Sequence, residues 1–282
     1  GHGGGLIGQL YHSTLSRCYA TGSVTGSVSG ALGGLVGYIF NGGTVQDCFA
    51  RGSVSGDSVL GGLLGSTQLH DAIVIRNCYA TGAVKGTGTT IGGLVGLFAG
   101  TDIVNSFSTG LVQASQNGGG LVGRLAQGSV TESFWDMSTS GMATSAGGVG
   151  KTTAEMKTPA TFAAAGWDFL GETGNGTADV WRMCEEGVDY PSLAFAYSNH
   201  GDFTCPDGMG IDDLMYLAER WMAGTSEESG QADGNRDGSV NLLDVAILSE
   251  YWKKTPQAMS LVGHWKLDGD SSDSASGYTG IA

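Results

Sequence analysis

Apolar residues in the first half of the chain come in short bursts hemmed by glycine. The first is Gly4-Gly5-Leu6-Ile7-Gly8, and the same box returns at residues 33–37, 61–65, 92–96 and 119–123. From box to box the first glycine moves from Gly4 to Gly33, Gly61, Gly92 and Gly119, a near-constant advance of the kind that stacked structural repeats produce. Between the boxes lie bursts of about four to six residues rich in Val, Ile, Thr, Phe and Tyr, bounded by glycines that permit tight corners; this is strand patterning. Glycine at every few positions disfavours a helix, since each costs roughly 1 kcal/mol against Ala inside one. The pattern predicts a mainly β fold: a parallel β-solenoid, or β-helix, of about five coils over residues 1–141.

A second element follows each box. It reads Arg17-Cys18-Tyr19-Ala20-Thr21-Gly22-Ser23-Val24 in the first repeat and returns at 47–54 and 77–84, with worn copies at 105–112 and 132–135. Stacking places equivalent positions of adjacent coils about 4.8 Å apart. Leu35, Leu63, Leu94 and Leu121 should then form one inward ladder, and Val24, Val54, Val84 and Val112 another. Tyr19, Phe49, Tyr79, Phe107 and Phe134 form an aromatic row whose direction, inward or outward, the sequence leaves open. Box and second element together resemble the GLUG repeat, named for its Gly-Leu-any-Gly core and found in bacterial surface and secreted proteins. The resemblance covers about half the chain and implies a secreted, extracellular or cell-surface location.

The chain has 282 residues and a net charge of −14, unevenly placed. Acids and bases nearly balance over 1–141 (6 against 5), whereas residues 199–256 carry 11 acids against 4 bases. Such a balance repels a nucleic-acid backbone and favours a hard cation. No run of eighteen apolar residues exists to span a membrane. Residue 1 already lies inside a repeat, so a piece of a longer protein is expected. Cys18, Cys48 and Cys78 occupy one repeat position, where Ser106 and Ser133 stand in later coils. A stacked row of small side chains is expected there, rather than disulfides or a metal site, because in-register neighbours point the same way. Cys184 and Cys205 are free to pair with each other, or not, as far as the sequence tells.

After Trp135 the period is lost. Residues 142–198 read as a cap on the solenoid, with a helical stretch at 153–165 and the aromatics Phe162, Trp167, Phe169, Trp181 and Tyr190 suited to covering the open edge of the last coil. Gly147-Gly148-Val149-Gly150-Lys151-Thr152-Thr153 looks like a phosphate loop, but Ser145 stands where that motif needs glycine, and no buried strand precedes it. No nucleotide is expected.

The sharpest chemistry lies in the acidic segment. Residues 233–244 place Asp233, Asn235, Asp237, Asn241 and Asp244 at positions one, three, five, nine and twelve of a twelve-residue loop, with Gly238 at six. This is calcium-loop spacing, with Ser239 offering its backbone carbonyl and Asn241 acting through water. Upstream of the helix that begins at Asp244, the stretch Asp213-Leu214-Met215-Tyr216-Leu217-Ala218-Glu219-Arg220-Trp221 matches Asp244-Val245-Ala246-Ile247-Leu248-Ser249-Glu250-Tyr251-Trp252. Leu214, Leu217 and Trp221, with Val245, Leu248 and Trp252, should form the buried helix faces. Two loop-helix units with Asp at position twelve resemble a type I dockerin. That resemblance implies a small α-helical calcium-binding module over 199–256 and a cohesin-like protein partner. The first loop, 202–213, departs from the pattern at Thr204, Pro206, Asp207 and Gly210, which leaves its calcium affinity open.

From Leu261 the chain reads Val262-Gly263-His264-Trp265-Lys266-Leu267-Asp268-Gly269-Asp270, similar to the first strand of a laminin-G-like or concanavalin-like jelly roll, truncated at 257–282. No convergent catalytic set stands out, and His2, His12 and His70 do not recur in register. The function expected is that of a non-catalytic extracellular repeat protein. Its solenoid would serve as an adhesion or spacer surface and its dockerin-like module as a calcium-dependent docking device. The alternative is an accessory fragment of a polysaccharide-degrading enzyme assembly, with polysaccharide or cell-surface glycan as a partner.

Overall fold

The computed structural model describes residues 1–26, 30–69, 71–88, 90–115, 118–170, 174–196, 203, 211–224, 232–234 and 237–251. The chain forms two compact units, Gly1–Phe195 and Ala196–Ala282. The first is the expected parallel solenoid, built from three sheets. One stacks the five strands Gly3–Gly4, Ala31–Gly33, Val59–Gly61, Thr90–Gly92 and Gly118–Gly119. A second has twelve strands, and a third stacks Val24–Gly26, Val54–Gly56, Val84–Gly86 and Val112–Ala114. Five boxes therefore make about four complete turns, one fewer than expected. The fifth turn leaves the pattern at Asp136, where helix α1 (Met137–Ser140) stands in place of a fifth valine strand.

Both predicted ladders form. Leu35, Leu63, Leu94 and Leu121 are fully buried in the main core beside Val45, Ile75 and Ile103. Val54, Val84 and Val112 pack with Leu32, Leu60 and Ile91 in a second, smaller core. The register is one-to-one, Val24 on Val54, Val84 on Val54 and Val84 on Val112. The glycine boxes hold the backbone pattern that joins the coils. The Leu35 carbonyl accepts from Leu6 and Ile7 N–H, Leu63 from Leu35 and Val36, Leu94 from Leu63 and Leu64, and Leu121 from Leu94 and Val95, at 2.8–3.1 Å. Only glycine fits beside this contact: a Cβ at Gly62 would collide with the Gly93 carbonyl and the Ala80 methyl.

The cysteine position has its own spine. In each coil the residue before it is left-handed, at Arg17, Asp47, Asn77, Asn105 and Glu132 with φ of 47–53°. At Cys48, Cys78, Ser106 and Ser133 the thiol or hydroxyl donates to the carbonyl two residues back, at 2.7–3.1 Å. The same atom accepts the N–H of its counterpart in the preceding coil: Cys18 N–H donates to Cys48 Sγ, Cys78 N–H to Ser106 Oγ and Ser106 N–H to Ser133 Oγ. Cysteine and serine interchange here because both are small and both donate and accept. Cys18, Cys48 and Cys78 are free thiols, and burial pushes the Cys78 thiol well up.

The aromatic row lies outside both cores. Tyr19, Phe49, Tyr79 and Phe107 stack at 5.0, 4.8 and 5.1 Å with planes within 12° of parallel. Residues 142–195 do two things. Thr144 to Lys151 close the end of the solenoid by imitating a further coil: Ser145 Oγ accepts from Leu121 and Val122 N–H at 3.2 and 2.9 Å, where a ladder leucine carbonyl would stand. Strand Val149–Lys151 pairs in parallel with Phe134–Asp136. Lys151 of the phosphate-loop look-alike pairs with Glu155 at 3.4 Å, and Thr152 caps helix α2 (Thr153–Met156).

The cap aromatics, however, cover the flank rather than the open edge alone. Phe162 of helix α3 (Pro159–Ala163) packs on Phe107 and Phe134, as does Trp167. Trp181 packs on Tyr79 and Phe107, and Phe195 reaches Phe49. The stacked rings are too large for the coil interior and need cover outside it. Phe162, Trp167 and Trp181 are fully buried. Asp136 anchors this flap, accepting from Ser138 and Thr139 N–H, the Thr153 hydroxyl and the Tyr190 hydroxyl, the last at 2.7 Å.

Leu63→Ala should cost about 2–5 kcal/mol in urea unfolding of the intact chain, and Leu6→Ala about 1 kcal/mol or less, because Leu6 is 50% exposed. Cys78→Ser should change stability by less than about 1 kcal/mol while Cys78→Ala costs about 1–3 kcal/mol, the alanine leaving buried backbone partners unmet. Burial first, and then the bond to Asp136, push the Tyr190 phenol from 10.0 up to about 12. The fold favours the neutral phenol, so this contribution is complete below pH 10.0 and is lost as pH rises through about 12. Tyr190→Phe should remove that alkaline loss in thermal melts taken across the interval.

Candidate functional site

The acidic unit is built around two helices, α4 (Ile211–Glu219) and α5 (Leu242–Tyr251). Leu217 and Leu248 are buried in a shared core with Phe203, Ala232 and Val240, and Leu214 and Val245 pack partly against it. Trp221 departs from expectation: α4 ends at Glu219, the chain turns at Met222 with φ of 66°, and the indole is exposed. Trp252 lies outside the described residues.

Each helix carries a buried carboxylate at its start, and the two are used alike. Phe203 N–H donates to Asp213 Oδ1 at 2.6 Å, and Gly234 N–H donates to Asp244 Oδ1 at 2.8 Å. In both, the accepting Asp stands ten positions after its donor, so the sequence twinning is repeated in hydrogen bonding. Asp213 and Asp244 are both fully buried.

Around the second loop the predicted residues are drawn onto the loop's own backbone. Asp233 accepts from Asp237 N–H at 3.1 Å through Oδ1 and from Gly238 N–H at 2.8 Å through Oδ2. Asp237 Oδ1 accepts from Ser239 N–H at 3.0 Å, and Asp244 Oδ2 accepts from Asn241 N–H at 2.9 Å. The Asn241 amide donates to the Ser239 carbonyl at 3.2 Å. Gly238 takes φ of 89°, the left-handed turn its position requires. Asn235 lies outside the described residues, as does most of the first loop. Among the described residues no group of three or more His, Cys, Asp or Glu side chains is arranged to hold a metal ion. The donor set is still one of hard oxygens, and a carboxylate oxygen that accepts one N–H retains a second lone pair.

Near the helix starts the unit presents Ile211, Met215, Leu242 and Leu243 to solvent. These are large apolar side chains exposed on a small acidic unit.

The solenoid's outer faces are polar rows in register. Ser53 Oγ donates to Ser23 Oγ at 2.9 Å, Arg76 donates to Gln46 at 2.8 and 3.2 Å, and Asn77 donates to Asp47 at 2.9 Å. One aromatic group has no signal in the repeat pattern: exposed Tyr11 with half-buried Phe40 and Tyr38, centroids 5.0 and 6.0 Å apart, and His2 stacked on Tyr38 at 4.4 Å. Tyr11 and Phe40 are register partners on adjacent coils, one repeat period apart. An open cleft of about 670 Å³ is lined by Ser55, Lys85, Gln113 and Met142 among others. Cys184 is disulfide-bonded, and Cys205 lies outside the described residues. The laminin-G-like stretch, 257–282, also lies outside them. No helix among the described residues is long and apolar enough to cross a membrane.

A family model of the GLUG motif matches residues 1–25 and 28–55, the segments that hold the first two boxes and their second elements. The chain is 38% identical over 162 residues to a Gly-rich membrane protein of Evansella cellulosilytica, an alignment covering 52% of this chain and 18% of that protein. It is 44% identical over 158 residues to halomucin of Haloquadratum walsbyi, covering 47% of this chain and 2% of that protein. The chain thus spans less than a fifth of the length of either relative. No solved structure matches it significantly. The GLUG motif model thus matches the first two repeats of the solenoid, and the later boxes continue the same coil geometry.

Proposed function

We propose that this is a non-catalytic protein of the cell exterior, in which the solenoid is a rigid spacer or adhesive rod and the acidic unit is a calcium-dependent docking module. The reading rests chiefly on the twinned carboxylates: Asp213 and Asp244, each buried at a helix start and each holding the backbone amide ten positions before it. Such duplication suits a pair of loop-helix units around one small core. Asp233, Asn235, Asp237, Asn241 and Asp244, with the Ser239 carbonyl, would hold the ion. Calcium would supply the positive charge that lets these carboxylates share one loop without mutual repulsion. Ile211, Met215, Leu242 and Leu243 would then meet a protein partner of cohesin type, consistent with their exposure.

Location outside the cell is supported by the similarity to a Gly-rich membrane protein and to halomucin. It is supported further by the disulfide at Cys184, since disulfides persist in oxidising compartments.

With calcium at a hundredfold excess over its Kd, the melting temperature of the EDTA-treated intact chain should rise by more than about 5 °C in the transition of the acidic unit. Asp237→Ala and Asp233→Asn should abolish the rise. A melt that ignores both calcium and EDTA would remove the site, and calcium-independent capture by cohesin modules would remove the coupling to docking.

A further inference from the structure

Polar side chains on the outer rows of the solenoid bond to their register neighbours: Ser53 to Ser23, Arg76 to Gln46, Asn77 to Asp47, and Thr25 to Ser55 at 3.0 Å. The row that holds Ser55 runs on in one-to-one register to Lys85 and Gln113. There the bonding stops. Among the described residues neither the Lys85 nor the Gln113 side chain makes a hydrogen bond, and Lys85 makes no ion pair. Both are exposed.

The open cleft of about 670 Å³ lies at these two side chains. No fifth valine strand follows Val112–Ala114, because the chain leaves the pattern through helix α1 and returns at Met142, which packs only partly against the second core. Val112, Ala114 and Met142 line the cleft with apolar surface, and Ser55, Thr87, Gln113 and Ser115 line it with hydroxyls and an amide. Lys85 is the one charged group among its described lining residues. Its volume is that of a small-molecule site.

This composition narrows the ligand. A cation with no carboxylate beside it attracts a single negative charge, and hydroxyls with an amide suit a partner dense in hydroxyls. Apolar surface at Val112 and Met142 suits the C–H face of a saturated ring. A nucleic-acid backbone, by contrast, calls for several cations where this lining offers one. We propose that the cleft binds a carboxylated sugar unit of an acidic polysaccharide, its carboxylate on Lys85 and its hydroxyls shared among Gln113, Thr87 and Ser115. Ser55, one strand spacing of about 4.8 Å from Lys85 in the row, is placed to meet the neighbouring sugar. The proposal rests on the adhesive reading of the solenoid and gives it a place and a ligand class.

The test titrates the intact chain by calorimetry in EDTA, so that calcium cannot bridge the probe to the acidic unit. One probe is a galacturonic acid trisaccharide, and the other is the same trisaccharide with its carboxyls reduced to alcohols. The acidic probe should bind saturably, and both Lys85→Gln and carboxyl reduction should weaken binding by at least about tenfold. The variant should melt with the native chain, since Lys85 is exposed. No saturable binding of the acidic probe, or an affinity unchanged in Lys85→Gln, would overturn the assignment of the cleft, and equal affinity for the reduced probe would overturn the carboxylate's role. Equal retention of the native chain and Lys85→Gln on an immobilised acidic polysaccharide would also remove the cleft, while leaving an adhesive solenoid standing.

Discussion

The solenoid depends on one repeated contact: a leucine carbonyl that accepts two N–H groups from the coil before it. To receive both, adjacent backbones must approach so closely at the box that neighbouring positions have no room for a Cβ. The same approach fixes the register, and a fixed register puts leucine on leucine, valine on valine and ring on ring. A coil out of register by one residue would turn every inward side chain outward. The spine at the cysteine position adds a second tie, through side chains, at the corner where the chain adopts left-handed geometry.

The aromatic row shows how a repeat that satisfies its interior creates a demand outside it. Rings stacked about 5 Å apart form a continuous apolar flank, and parallel pairs of this kind contribute roughly 0.5–1.5 kcal/mol each beyond burial. Left in water the flank would be a long sticky stripe. Residues 159–195 cover it with Phe162, Trp167, Trp181 and Phe195, held down through Asp136 and Tyr190. The other outer rows are largely hydroxyls, amides and single charged groups bonded in register, interrupted by the rings of Tyr11, Phe40 and Tyr38.

The acidic unit follows other physics. Its core is a handful of side chains, and its loop carboxylates spend their oxygens on the loop's own amides. These contacts gather several carboxylates around one short segment, a local concentration of negative charge. A nearly neutral solenoid joined in sequence to an acidic unit with exposed apolar side chains suits the division of labour in the proposed function.

The amino-acid sequence by itself determined the solenoid, its ladders and its parallel register, because a short, nearly constant period with glycine at fixed positions admits few other arrangements. It also carried the twinning of the two helices, since the stretch from Asp213 to Trp221 is written again from Asp244 to Trp252. Tertiary structure decided what depends on contacts between segments without a common period. The aromatic row faces outward because residues 159–195 are there to cover it, and no local pattern around Phe49 or Phe107 announces that cover. Ser145, disqualifying as a phosphate-loop residue, became the acceptor that ends the ladder only when its hydroxyl met the Leu121 and Val122 amides. Trp221 fits a helical stripe in sequence but stands exposed beyond the end of its helix. Periodicity reports which residues share a face; what lies against that face is settled by the rest of the chain.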